Sequence, residues 1–182
     1  MNAEAAVFHS GRVVFERVHE DARIPERATA LSAGMDVYAY LRHRKVKVWD
    51  HSTQGLLERP ALPRQVEPGR YEFSVILYPG DRAILPLGFK ATLPKNFQAE
   101  IRARSSWAFK RGLIVPNAPG TIDADYPDEW GVILANIGSE PQLVFHGDRV
   151  AQVVLMRYEQ LPWFEGEVGV TTDRTGGIGS TG

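Results

Sequence analysis

Gln98-Ala99-Glu100-Ile101-Arg102-Ala103-Arg104 alternates polar and apolar side chains, so an extended backbone places Ala99, Ile101 and Ala103 on one face. A helix, with its period of about 3.6 residues, cannot sort that pattern. Tyr71 to Leu77, Arg82 to Ala91, Gly131 to Asn136 and Arg149 to Tyr158 are further β-rich runs, the last rich in valine. Between them stand Pro79-Gly80, Pro94-Lys95-Asn96, Pro119-Gly120, Gly138-Ser139 and Gly147-Asp148, residues suited to reversing the chain. Strands spaced by such turns, without a long amphipathic helix, predict an all-β sandwich, barrel or jelly roll rather than a parallel α/β sheet. One short helix is expected around Ser105 to Lys110.

With 182 residues and 43% hydrophobic content, the chain can bury one core, and residues 1–172 read as one β domain. The last ten, Asp173 to Gly182, are mostly Gly, Ser and Thr and read as a mobile arm. A formal net charge of −1 provides no overall field for nucleic acid or an anionic membrane, so an anionic ligand must be held by local charge. Cysteine is absent, which excludes disulfides, thiolate nucleophiles and the cysteine-ligated zinc of nucleobase deaminases. Met1 to Gly11 lacks a basic start followed by an apolar stretch, and no apolar run is long enough to span a bilayer. These features predict a soluble, cytoplasmic protein.

Arg42 to Glu72 breaks the regular pattern, being rich in Lys and Arg and containing Pro60, Pro63 and Pro68. It reads as a solvated excursion between strands, with Lys45 to Trp49 as a candidate exposed strand and a flap or docking site as the functional alternative.

Two groups carry candidate chemistry. Asp123 and Asp125 bracket Ala124, so on extended backbone both carboxylates face one side, and either is ionised at neutral pH and able to accept a proton from water. Taken alone, Asp-x-Asp is equally what a solvated turn looks like. Arg102, Arg104, Lys110 and Arg111 surround Ser105 and Ser106 and supply charge-assisted donors for phosphate, though such a cluster alone is often plain surface.

Five segments in order resemble the motifs of the trimeric dUTPase family. They are Ala33 to Ala39, Ala103 to Ala108 leading to Lys110-Arg111-Gly112, Asn117 to Tyr126, Gly147 to Gln152, and the tail Arg174 to Gly182. The resemblance implies a distorted jelly-roll or β-barrel that assembles as a homotrimer with exchanged C-terminal arms and active sites shared between subunits. It implies hydrolysis of dUTP to dUMP and pyrophosphate, with Asp123 orienting and activating the attacking water. Asn117, Thr121, Ile122 and Gly131 would receive the uracil, and Tyr126 would pack under the deoxyribose. Arg104, Ser105, Ser106 and Gln152 would hold phosphates, and Asp36 would hold Mg²⁺ through water. Arg174 and Ile178 would close with the tail. Asp148 and Arg149 are expected to be structural.

The chain departs from the family pattern at several places. Ile178 stands where an aromatic residue is common, which predicts weaker stacking on the base. Ser106 and Asp128 stand where glycine is usual. A dCTP deaminase, or a bifunctional relative, would carry a glutamate at the place of Ile133. The gap between the first two motifs is long, and 42–72 accounts for it. That insert is expected to form a hairpin or loop on the trimer surface that flanks the site or contacts a protein partner, as in a dUTP-sensing module.

Overall fold

The computed structural model describes residues 11–169 and 172–173. The strands are β1 (Val14–Arg17), β2 (Met35–Tyr38), β3 (Lys45–Asp50), β4 (Gly55–Pro60), β5 (Leu62–Glu67), β6 (Arg70–Leu77), β7 (Arg82–Pro86) and β8 (Phe89–Thr92). After them come β9 (Phe97–Arg102), the helix α1 (Ser105–Arg111), β10 (Leu113–Ile114), β11 (Gly120–Ile122), β12 (Gly131–Asn136), β13 (Gln142–Phe145) and β14 (Arg149–Arg157). All pairings are antiparallel. The sheet orders are β1-β8, β10-β12-β7-β3-β4, β11-β9-β14-β2 and β13-β6-β5. No helix among the described residues is long and apolar enough to cross a membrane.

Alternation places the core. Val46 and Val48 of β3, Ala83 and Leu85 of β7, Val132 and Leu134 of β12, and Ala99 and Ile101 of β9 all face inward and are buried. On the four-stranded sheet one row runs Gly120, Ile101, Val153, Met35 across β11, β9, β14 and β2. This row carries the third-motif strand at one edge and the first-motif strand at the other.

The expected strand over Arg82 to Ala91 is two strands. The chain turns at Gly88, whose φ is +79 and where a Cβ would meet the Ala22 Cβ at 2.7 Å. The 42–72 segment is built of paired strands: it contributes β3, β4, β5 and the start of β6, with β4 and β5 largely exposed. Lys45 to Trp49 lies within a strand that alternates exposed and buried, pairing with β7 on one side and β4 on the other. Its prolines are tolerated because Pro60 ends an edge strand and Pro63 lies in another, where no ladder N–H is required of them. Arg59 of β4 fixes this hairpin to the body through Asp50 at 2.9 Å and the buried Asp81 at 2.6 Å.

Candidate functional site

Asp36 is the centre of the first group. It lies on β2, is buried, and pairs across the sheet with Gln152 of β14. Arg104 places Nε 3.2 Å from Oδ1, Arg149 places Nη1 3.1 Å from Oδ2, and the Gln152 amide donates to Oδ1 at 3.3 Å. Arg104 also donates to the Arg149 carbonyl at 3.0 Å, joining the start of α1 to the start of β14. Residues of three separated motifs therefore meet at one carboxylate. Ser105 and Ser106 open α1 with both residues exposed beside Arg104. Gly34 packs closely against Gln152, where a Cβ would lie 3.2 Å from the Oε1 and require that side chain to shift by a few tenths of an ångström.

Arg149 and Asp148 were both expected to be structural. Arg149 joins this group through its ion pair with Asp36, its side chain 51% exposed. Asp148 accepts the Phe145 N–H at 2.9 Å, and burial raises its pKa against that bond. With Arg23, Glu26, Arg27 and Tyr38, Asp36 and Arg149 line a polar cleft of about 400 Å³.

The second group surrounds a cavity of about 270 Å³ lined by Asn117, Thr121, Ile122, Tyr126, Glu129, Gly131 and Ile133, together with Ile84 and Ile101. All five residues predicted to receive the nucleoside are thus together. Gly120 lets them approach, because a Cβ there would strike the Asn117 Nδ2 at 2.8 Å. Ile133 presents an apolar side chain at the position where a deaminase would carry its glutamate. Glu129, which sequence reasoning did not single out, supplies the cavity's one carboxylate among the residues lining it.

Asp123 follows β11 and is exposed. Ala124 turns inward, so Asp123 and Asp125 share the outer side as the alternation predicted. Both line a cleft of about 490 Å³ with Lys95, Tyr158 and Gln160. Arg174 and Ile178 lie outside the described residues.

The family model described as dUTPase matches residues 70–182. The chain belongs to the dUTPase family. Hydrolysis of dUTP is the family's reaction, and this dUTPase is a dUTP diphosphatase. The solved structures it resembles share the fold. A mutant dUTPase of Staphylococcus bacteriophage 80alpha with dUpNHpp is 17% identical with a TM-score of 0.66, over 95% of this chain and 99% of that one. The Streptococcus mutans dUTPase is 22% identical with a TM-score of 0.59, over 82% and 98%. A mutant dUTPase of phage phi11 of S. aureus, described as coordinating a structural Mg(II) ion, is 16% identical with a TM-score of 0.63, over 88% and 99%.

The family generally uses Mg²⁺. Among the described residues no three His, Asp or Glu side chains gather into a cage for an ion. The Asp36 carboxylate, whose two oxygens already accept from Arg104, Gln152 and Arg149, would hold such an ion only through water, and Mg²⁺ commonly keeps several of its waters.

Proposed function

We propose that the protein cleaves dUTP between its α- and β-phosphates, giving dUMP for dTMP synthesis and keeping uracil out of DNA. The observation that carries this reading is the pocket where Asn117, Thr121, Ile122, Tyr126 and Gly131 converge without a carboxylate at Ile133. Backbone groups of the arm that begins at Asn117 and of its return near Gly131 would pair with the uracil edge, whereas cytosine would place a donor against a donor. Mismatches of that kind leave buried groups unpaired and discriminate by roughly four to five orders of magnitude. Tyr126 under the sugar crowds a 2′-hydroxyl and so disfavours UTP.

Asp123 takes the proton of a water that attacks the α-phosphorus. The bond to the bridging oxygen of the β-phosphate breaks and pyrophosphate departs, with no covalent enzyme intermediate. Arg104, Arg149, Ser105, Ser106 and Gln152 bind the phosphate chain and stabilise the charge gathering on the leaving group. Mg²⁺, held through water by Asp36, would supply further neutralisation of the triphosphate. Arg174 and Ile178 would act at the bound nucleotide, as the resemblance of the fifth motif implies.

The working unit is a homotrimer. In one chain the base-facing residues, Asp123 and the Asp36 cluster line three separate clefts. Three strand spacings, about 14 Å, separate the sheet edges that carry β11 and β2. Leu161, Trp163 and Phe164 also stand exposed on the single chain, apolar surface of the kind that association buries.

The direct test follows pyrophosphate release from dUTP with Mg²⁺. Asp123→Asn, which keeps the shape and removes the base, should lower the rate by roughly 10²- to 10⁴-fold. A wild-type rate in that variant would remove Asp123 from the chemistry.

A further inference from the structure

The geometry points to Arg44 as a positioning residue for the nucleobase pocket, acting through Glu129. This rests on the reading of that pocket as the uracil site. Glu129 precedes the return strand β12 and lines the cavity beside Tyr126 and Gly131. Its two oxygens are both engaged. Oε1 accepts the Gly88 N–H at 2.7 Å, at the corner between β7 and β8, and Oε2 meets Arg44 Nη2 at 2.7 Å. The side chains of Arg44 and Glu129 are 26% and 18% exposed, so solvent screens the pair little.

Arg44 reaches Glu129 from the root of the insert. Its carbonyl accepts the Ala61 N–H at 2.9 Å, closing the base of the β3–β4 hairpin between the residue that enters it and the residue that leaves. Its Nη1 lies 2.7 Å from His19 Nε2, and His19 stacks on Tyr40 at 4.3 Å between ring centroids. The guanidinium is thus held at both ends, and a rigid donor fixes the Glu129 carboxylate. Immediately beyond Glu129, Trp130 exchanges backbone hydrogen bonds with its neighbours: its N–H donates to the Phe89 carbonyl at 2.9 Å, and its carbonyl accepts the Leu87 N–H at 3.0 Å. The clamp sets where the return arm starts, and so the gap between Asn117 and Thr121 on one arm and Gly131 on the other. A looser gap binds the base less well without altering the attack at phosphorus.

The test is steady-state kinetics on dUTP for the full chain with Arg44→Ala, Glu129→Gln, the double variant and Arg44→Lys. Glu129→Gln keeps an oxygen for the Gly88 N–H and loses only the charge pairing. Each single variant should raise KM roughly tenfold with kcat within about twofold, as expected for one charge-assisted contact. The double variant should be no worse than the weaker single, because both remove the same interaction. Arg44→Lys, which keeps the charge, should recover part of the loss. A merely structural role would lower the melting temperature and the active fraction and leave KM unmoved; that result, or additive effects, overturns the proposal. Should Arg44→Ala not fold, the near-isosteric Glu129→Gln carries the same comparison. A wild-type chain that turns over no dUTP but binds dUMP would sink the catalytic reading alone, and the clamp would then be read from the same tenfold rise in the Kd for dUMP. Failure of both turnover and dUMP binding would remove the uracil pocket and the clamp's function with it.

Discussion

At Asp36 a buried carboxylate accepts from Arg104 and Gln152 at Oδ1 and from Arg149 at Oδ2. Arg149 is the half-exposed guanidinium of the two and lines the polar cleft, so water can replace it at Oδ2. Arg149→Ala should lower the melting temperature only modestly, since Oδ1 keeps both donors, and should raise KM for dUTP by roughly tenfold through loss of one charge-assisted phosphate contact. Calorimetry beside kinetics checks both halves, and an unchanged KM would return Arg149 to a structural role. Asp36, Arg104 and Gln152 could be singled out in the sequence from the order of their motifs, and the structure brings them together. The contacts of Arg149 and Glu129 could not, because they depend on what stands across the sheet. Nothing in Asp-Glu-Trp announces that Glu129 will meet Arg44, 85 residues away.

Among the elements, the inward-facing strands were legible and the edges were not. β9 and β12 carry a one-sided or continuous apolar code, and the structure places both where that code predicts. β4 and β5 carry charge and proline, which resemble loop chemistry until their edge positions explain them. The hairpin of β3 and β4 depends on Arg59, whose partner Asp81 is 1% exposed. Arg59→Ala leaves that buried charge without its counter-ion, held only by the His51 and Tyr78 N–H groups, and should destabilise the fold by roughly 3 kcal/mol, measured by urea unfolding. The same network has an acid limb. The Ser52 hydroxyl and the Thr53 N–H, with further help from Arg59, hold Asp50 down at about 2. A depressed carboxylate stabilises above its unfolded pKa of about 3.9, and that contribution is lost as pH falls through the folded value. Stability should therefore decline between about pH 4 and pH 2, less steeply in Asp50→Asn; equal slopes would contradict the account.

For the whole molecule, the proposed function requires the three clefts of one chain to be joined with those of neighbouring copies. Mixing unfolded Asp123→Asn chains with Arg104→Ala chains and refolding them jointly should restore pyrophosphate release that neither has alone, because some sites then draw Asp123 and Arg104 from intact subunits. An absence of complementation in mixed trimers would place both residues in the same subunit's contribution. The family and the all-β architecture were legible from five ordered motifs and an alternating pattern; the inserted strands and their tie to the base pocket had to be seen in three dimensions. The central claim is that this molecule selects dUTP and hydrolyses it at the α-phosphorus. It is tested most directly by offering purified protein and Mg²⁺ dUTP, dCTP, dTTP and UTP separately while following pyrophosphate and the nucleoside monophosphates. The account predicts pyrophosphate and dUMP from dUTP alone; turnover of dCTP, or none of any nucleotide by a folded protein, would contradict it.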